Sequence, residues 1–270
     1  MYTIIFIIVF LLGTIIGSFL NVVIYRFNTS RSVVVGRSIC MTCSHKLNWY
    51  EMIPVLSFIF QKGKCRSCST TISHQYPLVE FITGIVFAVI AFHFLPILYI
   101  SVNTFVFLLS FYVFIFSILI VIAVYDLRHK IIPDRLVYTF AFFALVSTFI
   151  NTTGIGDLFV VPNIWSLSTG IVLALPFALI WLLSRGRLMG LGDAKLILGI
   201  GWLFGYSQGI AVLVLSFWIG AVFSLIVLLF TKMKISMKTE IPFAPFLILA
   251  MIIVLYTGIN IFKLSALISF

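Results

Sequence analysis

Apolar residues run through this chain in long blocks separated by short polar links. Eight blocks stand out: Thr3–Ile24, Pro77–Leu98, Thr104–Tyr125, Pro133–Ile150, Ile164–Leu183, Ala194–Leu203, Ile210–Phe230 and Pro245–Ile261. Most approach the ~20 residues a helix needs to cross the hydrocarbon core of a bilayer, and alternating strand-length segments are absent. Backbone groups in lipid have to be satisfied within their own segment, so the blocks predict helices. The sixth is too short to cross alone unless the bilayer thins or Gly205 and its neighbours extend it. The expectation is an all-α polytopic membrane protein with about eight transmembrane helices. The chain then divides into a first transmembrane helix (1–24), a polar domain between the first two helices (25–76) and a seven-helix membrane domain (77–270). The first block lacks a basic start and runs on into further spans, so it reads as a mature helix rather than a signal peptide.

Composition agrees, with 63% hydrophobic and 9% charged residues. A net charge of +10 would suit a nucleic-acid partner, but the distribution of the charges argues against one. The links Tyr25–Tyr76, Asp126–Arg135, Arg185–Lys195 and Thr231–Glu240 hold 16 of the 17 Lys and Arg, and Lys263 is the other. The alternate links, Ile100–Asn103, Asn151–Asn163 and Phe204–Gly209, hold none. Such a split makes the basic links cytosolic and places both termini outside. The implied partner is the lipid bilayer. Within the first block, Gly13-x-x-x-Gly17-Ser18 is a small-residue stripe suited to close helix packing, and Asn21 adds a polar group near the cytosolic end. No internal repeat is visible.

The link 25–76 contains the chain's only cysteines, Cys40-Met-Thr-Cys43 and Cys65-Arg-Ser-Cys68. Two C-x-x-C knuckles separated by 21 residues lie just beyond the usual zinc-ribbon spacing, and four soft thiolates suit tetrahedral zinc. A reducing cytosol argues against disulfides, leaving unmetallated pairs or redox switches as the alternatives. Lys46, Lys64 and Arg66 favour deprotonated thiols. A domain this small needs such a staple.

Only seven residues are acidic. Glu51 and Glu240 lie in polar links and Asp157 is on the outer side. Asp134 follows Pro133 as a first-turn carboxylate would. Glu80, in the first turns of the second span, has three open roles: snorkelling, pairing with an Arg of the cytosolic link, or lining a polar cavity. Asp126 ends the third span and Asp193, in Met-Gly-Leu-Gly-Asp-Ala-Lys195, opens the sixth, so the two share the cytosolic side. Neighbouring carboxylates can work as acid and base, activating water against an amide without a metal. Gly190 and Gly192 leave the backbone there free to bend and a substrate strand free to lie close. Paired acids also serve ion- or proton-coupled transporters, the alternative from another class. That reading expects acids near mid-bilayer and inverted repeats, neither of which is seen.

An ordered set of motifs resembles the type IV prepilin peptidases, membrane aspartic proteases of the Gly-x-Gly-Asp type. It comprises Gly17-Ser-Phe-Leu-Asn-Val-Val-Ile-Tyr-Arg26, the two knuckles with Trp49-Tyr-Glu-Met-Ile-Pro54 between them, and Tyr76-Pro-Leu-Val-Glu-Phe-Ile-Thr-Gly84. Asp126 with six residues between it and Pro133-Asp134, Gly190-Leu-Gly-Asp-Ala-Lys195 and Pro242-Phe-Ala-Pro-Phe246 complete it. The resemblance implies cleavage of a basic leader from type IV prepilin or pseudopilin precursors at the cytosolic face, with Asp126 and Asp193 as the catalytic pair. Many similar proteins also methylate the new amino terminus with S-adenosylmethionine, an activity tied to the cysteine-bearing domain. Leu191, Thr42 and Ala244 depart from the usual pattern, and none touches the carboxylates. A basic leader is repelled by this basic surface, which leaves Glu51, Glu80 and the ionised aspartate as its local attractors.

Overall fold

The computed structural model describes residues 2–29, 32–33, 36–230 and 242–260. Among the described residues there are eight helices: α1 Tyr2–Arg26, α2 Leu56–Phe60, α3 Gln75–Leu98, α4 Val102–His129, α5 Asp134–Ser147, α6 Ile164–Ser184, α7 Leu191–Phe230 and α8 Ala244–Thr257. A 3-10 turn covers Trp49–Met52. Among the described residues β-pairing is confined to three isolated bridges, and five of the helices are long and apolar enough to cross a membrane. The protein is therefore an all-helical, multi-pass membrane protein, as its hydrophobic pattern predicts. Arg31, the basic link Thr231–Glu240, Ile261 and Lys263 lie outside the described residues. The chain forms two compact units, Met1–Phe92 and His93–Phe270.

In the first unit, α1 and α3 pair antiparallel along the small-residue stripe. The contacts step by four residues in opposite directions. Asn21 Nδ2 donates to the Tyr76 carbonyl at 3.1 Å, while a Cβ at Gly17 would lie 2.7 Å from Glu80 Cα and one at Gly13 2.8 Å from Gly84 Cα. Only glycine at positions 13 and 17 lets the two backbones come this close, which is the gain expected of a small-x-x-x-small face in lipid. Phe10 closes edge-on against Phe81, and Tyr25 stacks on Tyr76.

The segment between α1 and α3 has almost no apolar interior. Among its described residues Cys65 is the one buried hydrophobic side chain. Its order comes instead from the two knuckles, which fold alike. In each, the amide of the first cysteine donates to the carbonyl five residues on (Cys40 N to the His45 carbonyl, Cys65 N to the Thr70 carbonyl, both 2.9 Å). Ser44 and Ser69, each following the second cysteine, take the same left-handed φ of 57°. The two halves thus repeat in backbone where the sequence shows no repeat.

In the second unit α7 is the central element, packed against α5, α6 and α8, with α4 against α5 and α8. The α7 helix breaks at Gly205, whose φ of 70° and ψ of −173° favour glycine. Its two arms are the short sixth and the seventh expected spans. The first arm is glycine-rich because its neighbours touch its backbone: a Cβ on Gly201 would meet Gly170 Cα at 2.6 Å, and one on Gly199 would run into the ring of Phe140.

Candidate active site

The carboxylate expected at the end of the third span is carried by α4. Asp126 lies three residues before the end of that helix and is buried, with 4% of its surface exposed. Its Oδ2 accepts a 3.2 Å hydrogen bond from the backbone amide of Ala244. Ala244 is the first residue of α8, where a backbone amide has no partner within the helix, so a helix N-terminus points at this carboxylate. Asp193 is half-buried in the first turn of α7. Its carboxylate accepts from the Gly190 amide and lies close enough to Asp126 for the two charges to interact through space. The fold therefore brings together two acids that are 67 positions apart in the chain.

The connection that places them is short. After His129 the chain turns through Lys130, in the left-handed region at φ 54°, whose amide bonds back to the Asp126 carbonyl at 2.7 Å. The link then presses Ile132 against the start of α7, where a Cβ on Gly192 would lie 2.8 Å from Ile132 Cβ. Gly192 is thus filled from within the molecule rather than left for a substrate strand. Gly190 has room, since a Cβ there would come no closer than 3.6 Å to the Asp193 carboxylate and 4.0 Å to the Gly192 amide nitrogen.

Lys195, two residues beyond Asp193, does not turn toward it. Its Nζ pairs with Asp134 Oδ1 at 2.7 Å and sits 4.8 Å over the Tyr138 ring. Asp134 itself opens α5 directly after Pro133, as its sequence predicts. Glu80 is buried in the first unit, with Oε2 accepting from the Val55 amide at 2.7 Å and the Ser18 hydroxyl as its second partner.

The four cysteines converge. Their sulfurs all lie within 4.8 Å of one another, with Cys40 Sγ and Cys68 Sγ 3.8 Å apart. A tetrahedral zinc site with bonds of ~2.3 Å has sulfur–sulfur edges of about 3.8 Å, so the set has the size zinc requires. Electrostatics point the same way. The Thr70 hydroxyl and amide hold the Cys68 thiol down at about 6. The His45 amide also donates to Cys43, yet desolvation and the three adjacent sulfurs push that thiol up to about 12. Four thiolates in this volume would repel one another, and a cation among them would relieve that repulsion. Beside the cluster, Glu51 accepts from the Asn48 amide at 2.8 Å and lies 3.5 Å from His45, contacts that lower its carboxyl below the ordinary range.

Comparison with known proteins places both units. The bacterial peptidase A24 N-terminal domain matches residues 11–94, which include all four cysteines, and the type IV leader peptidase family matches residues 113–225, which include both aspartates. The chain belongs to the type IV leader peptidase family. A Bacillus subtilis (strain 168) protein described as prepilin leader peptidase/N-methyltransferase is 33% identical over 238 residues, covering 88% of each chain. Proteins of the same description are similar in Aeromonas salmonicida (strain A449), at 31% identity over 95% of this chain and 92% of theirs, and in Pseudomonas aeruginosa, at 27% over 92% and 89%. No solved structure matches the chain.

Set against this leader-peptidase architecture, sequence reasoning missed two contributors to the site. One is the Ala244 amide; Pro245 signals a helix start, but nothing local shows which group that start faces. The other is Ile132, an ordinary apolar residue in a short link, marked only by the glycine it packs on.

Proposed function

We propose that this chain is a membrane aspartic endopeptidase, in which Asp126 and Asp193 cut the basic leader from type IV prepilin or pseudopilin precursors at the cytosolic face of the bacterial inner membrane. The observation that carries the reading is the convergence of the two carboxylates: one at the end of α4, one at the start of α7, near enough to interact. A pair of this kind works with one proton between its members. One carboxylate takes a proton from water as the oxygen adds to the scissile carbonyl, and the other gives its proton to the departing amide nitrogen. The Ala244 and Gly190 amides fix the two carboxylates and replace part of the water each loses on burial. Both acids sit within three residues of a helix end, which suits a substrate cut beside the bilayer rather than an ion crossing it. The one-sided basic links support the cytosolic assignment.

The four-cysteine cluster would hold zinc as a structural ion, joining two knuckles that share almost no apolar core. Methylation of the new amino terminus is carried over from the relatives' names; S-adenosylmethionine, when bound, supplies the methyl group.

The test is incubation of membranes holding this protein with a prepilin, comparing the natural chain with Asp126→Asn and Asp193→Asn. Asparagine keeps an acceptor for the Ala244 amide, so the fold persists while the proton chemistry is lost. Both variants are expected to leave the precursor uncut; cleavage by either removes that residue from the catalytic pair.

A further inference from the structure

The first unit contains an apolar stretch that neither the leader-peptidase chemistry nor the zinc knuckles use. Trp49–Phe60 is twelve residues long and carries a single charge, Glu51, which is buried. Trp49 is 74% exposed, Leu56 51%, Ile59 61% and Phe60 77%. We infer that this stretch is a membrane-interface anchor, with Trp49 and one face of α2 seated in the lipid of the cytosolic leaflet and Lys62 and Lys64 at anionic headgroups.

Local geometry makes the exposed residues one surface. At 100° per residue, Leu56, Ile59 and Phe60 fall within an arc of about 100° on α2. Phe58 points the other way, over Gly63 and edge-on to His74 at 5.4 Å. The domain's inner side is thus already occupied, and the Leu56/Ile59/Phe60 face looks outward. An apolar run of this length is too short to span a bilayer and falls in the range of interfacial or re-entrant segments.

Two contacts set its depth. The Val55 amide, one residue before α2, is bonded to Glu80, five residues or about 7.5 Å inside α3 from its first residue. On the other side, Met52, Ile53 and Pro54 border a groove of about 410 Å³ whose opposite wall is Ile15, Phe19 and Val22 of α1. Those α1 residues lie about 6 to 16 Å up the helix from Arg26. The stretch is therefore drawn down beside the spans, at the level of the membrane boundary. Val55 makes this possible by adopting φ 61°, ψ −51°, with Leu56 N bonding to the Pro54 carbonyl at 2.6 Å. That is a γ-turn of the rare, strained kind, and the buried Glu80 carboxylate holds it in place.

Lipid fits this surface better than another protein does. Exposed Lys62 and Lys64 follow α2 directly and complement phospholipid phosphates. The same lysines repel a basic leader. Trp at such a level, with aliphatic and Phe side chains beside it, is the composition of an interfacial segment.

The experiment places a photoreactive benzoylphenylalanine at Phe60 of the full-length protein, with a second version at Leu56 and a control at exposed Ser67 in the second knuckle. Each protein, checked for natural helicity and a single elution peak, is reconstituted in phosphatidylethanolamine/phosphatidylglycerol vesicles, irradiated and analysed by mass spectrometry. Phospholipid adducts several-fold above the Ser67 control are expected at both α2 positions, and Lys62→Glu with Lys64→Glu is expected to lower them. Adducts no higher than at Ser67 would overturn the proposal by placing α2 in water. Loss of the lipid adduct on adding a prepilin, with the probe captured by the prepilin instead, would overturn it by making the face a protein-binding one.

Discussion

Gly192→Ala sets two effects of opposite sign against each other. Gly192 lies in the first turn of α7, where alanine is the better helix former by about 1 kcal/mol. The added methyl, however, would lie 2.8 Å from Ile132 Cβ, whereas carbon atoms rest at about 3.5–4.0 Å. Roughly 1 Å has to open between the Lys130–Pro133 link and α7, and overpacking of this kind costs about 1–3 kcal/mol. Stability therefore changes little, because the two contributions largely offset. Catalysis has no such compensation. The link continues directly from the helix that carries Asp126, and α7 carries Asp193, so the gap appears as a displacement of one carboxylate from the other. A misplacement of about 1 Å costs on the order of 100-fold in rate. Initial rates of prepilin cleavage across a range of precursor concentrations measure this. We expect Gly192→Ala to lose about 10- to 100-fold in kcat with KM little changed, and the double variant with Ile132→Gly, which removes the contacting Cβ, to recover most of the loss. Full activity of Gly192→Ala, or a double variant no faster than the single one, would refute the argument that this contact sets the spacing of the pair.

Gly199→Ala is expected to lower stability by about 1–3 kcal/mol, read as a fall in Tm, because its methyl would enter the ring of fully buried Phe140. Purified protein should contain one zinc per chain by metal analysis; Cys40→Ser with Cys68→Ser should abolish it and expose the 36–74 segment to protease. Glu80→Gln keeps an acceptor for the Val55 amide and should be stable, whereas Glu80→Ala leaves that amide bare, at a cost of about 1–3 kcal/mol in thermal unfolding. The same Gln variant separates anchoring from leader attraction, since only the latter raises the KM for the precursor. Glu51 stabilises the folded link through a lowered pKa. Its contribution is complete above the ordinary glutamate range near ~4.3 and is lost as pH falls through the lowered folded value. Glu51→Gln should therefore flatten the acid limb of stability against pH.

Period and composition made most of the fold legible. The spans, the break near Gly205 and the pairing role of Gly13 and Gly17 all follow from local pattern, because lipid leaves a helix few alternatives. The cysteines and the aspartates were legible for a second reason: thiol pairs and carboxylates are scarce here, so each one present asks for a role. Contacts set by packing at a distance were not legible. Nothing near Lys195 announces Asp134, 61 positions earlier, and nothing near Val55 announces Glu80. Gly192 was read as space for a ligand, and only its neighbour Ile132 shows that the space is filled.

The four-residue stepping of α1 against α3 makes the first helix intolerant of length changes in a way the segment after it is not. One residue inserted between Gly13 and Gly17 would rotate everything on one side of it by about 100° and shift it about 1.5 Å. Gly17 would then leave Glu80, and Asn21 would leave the Tyr76 carbonyl. The same insertion in the polar stretch just after Arg26 changes no interhelical partner. Length variation among relatives should therefore gather after Arg26 and spare the stretch from Gly13 to Asn21.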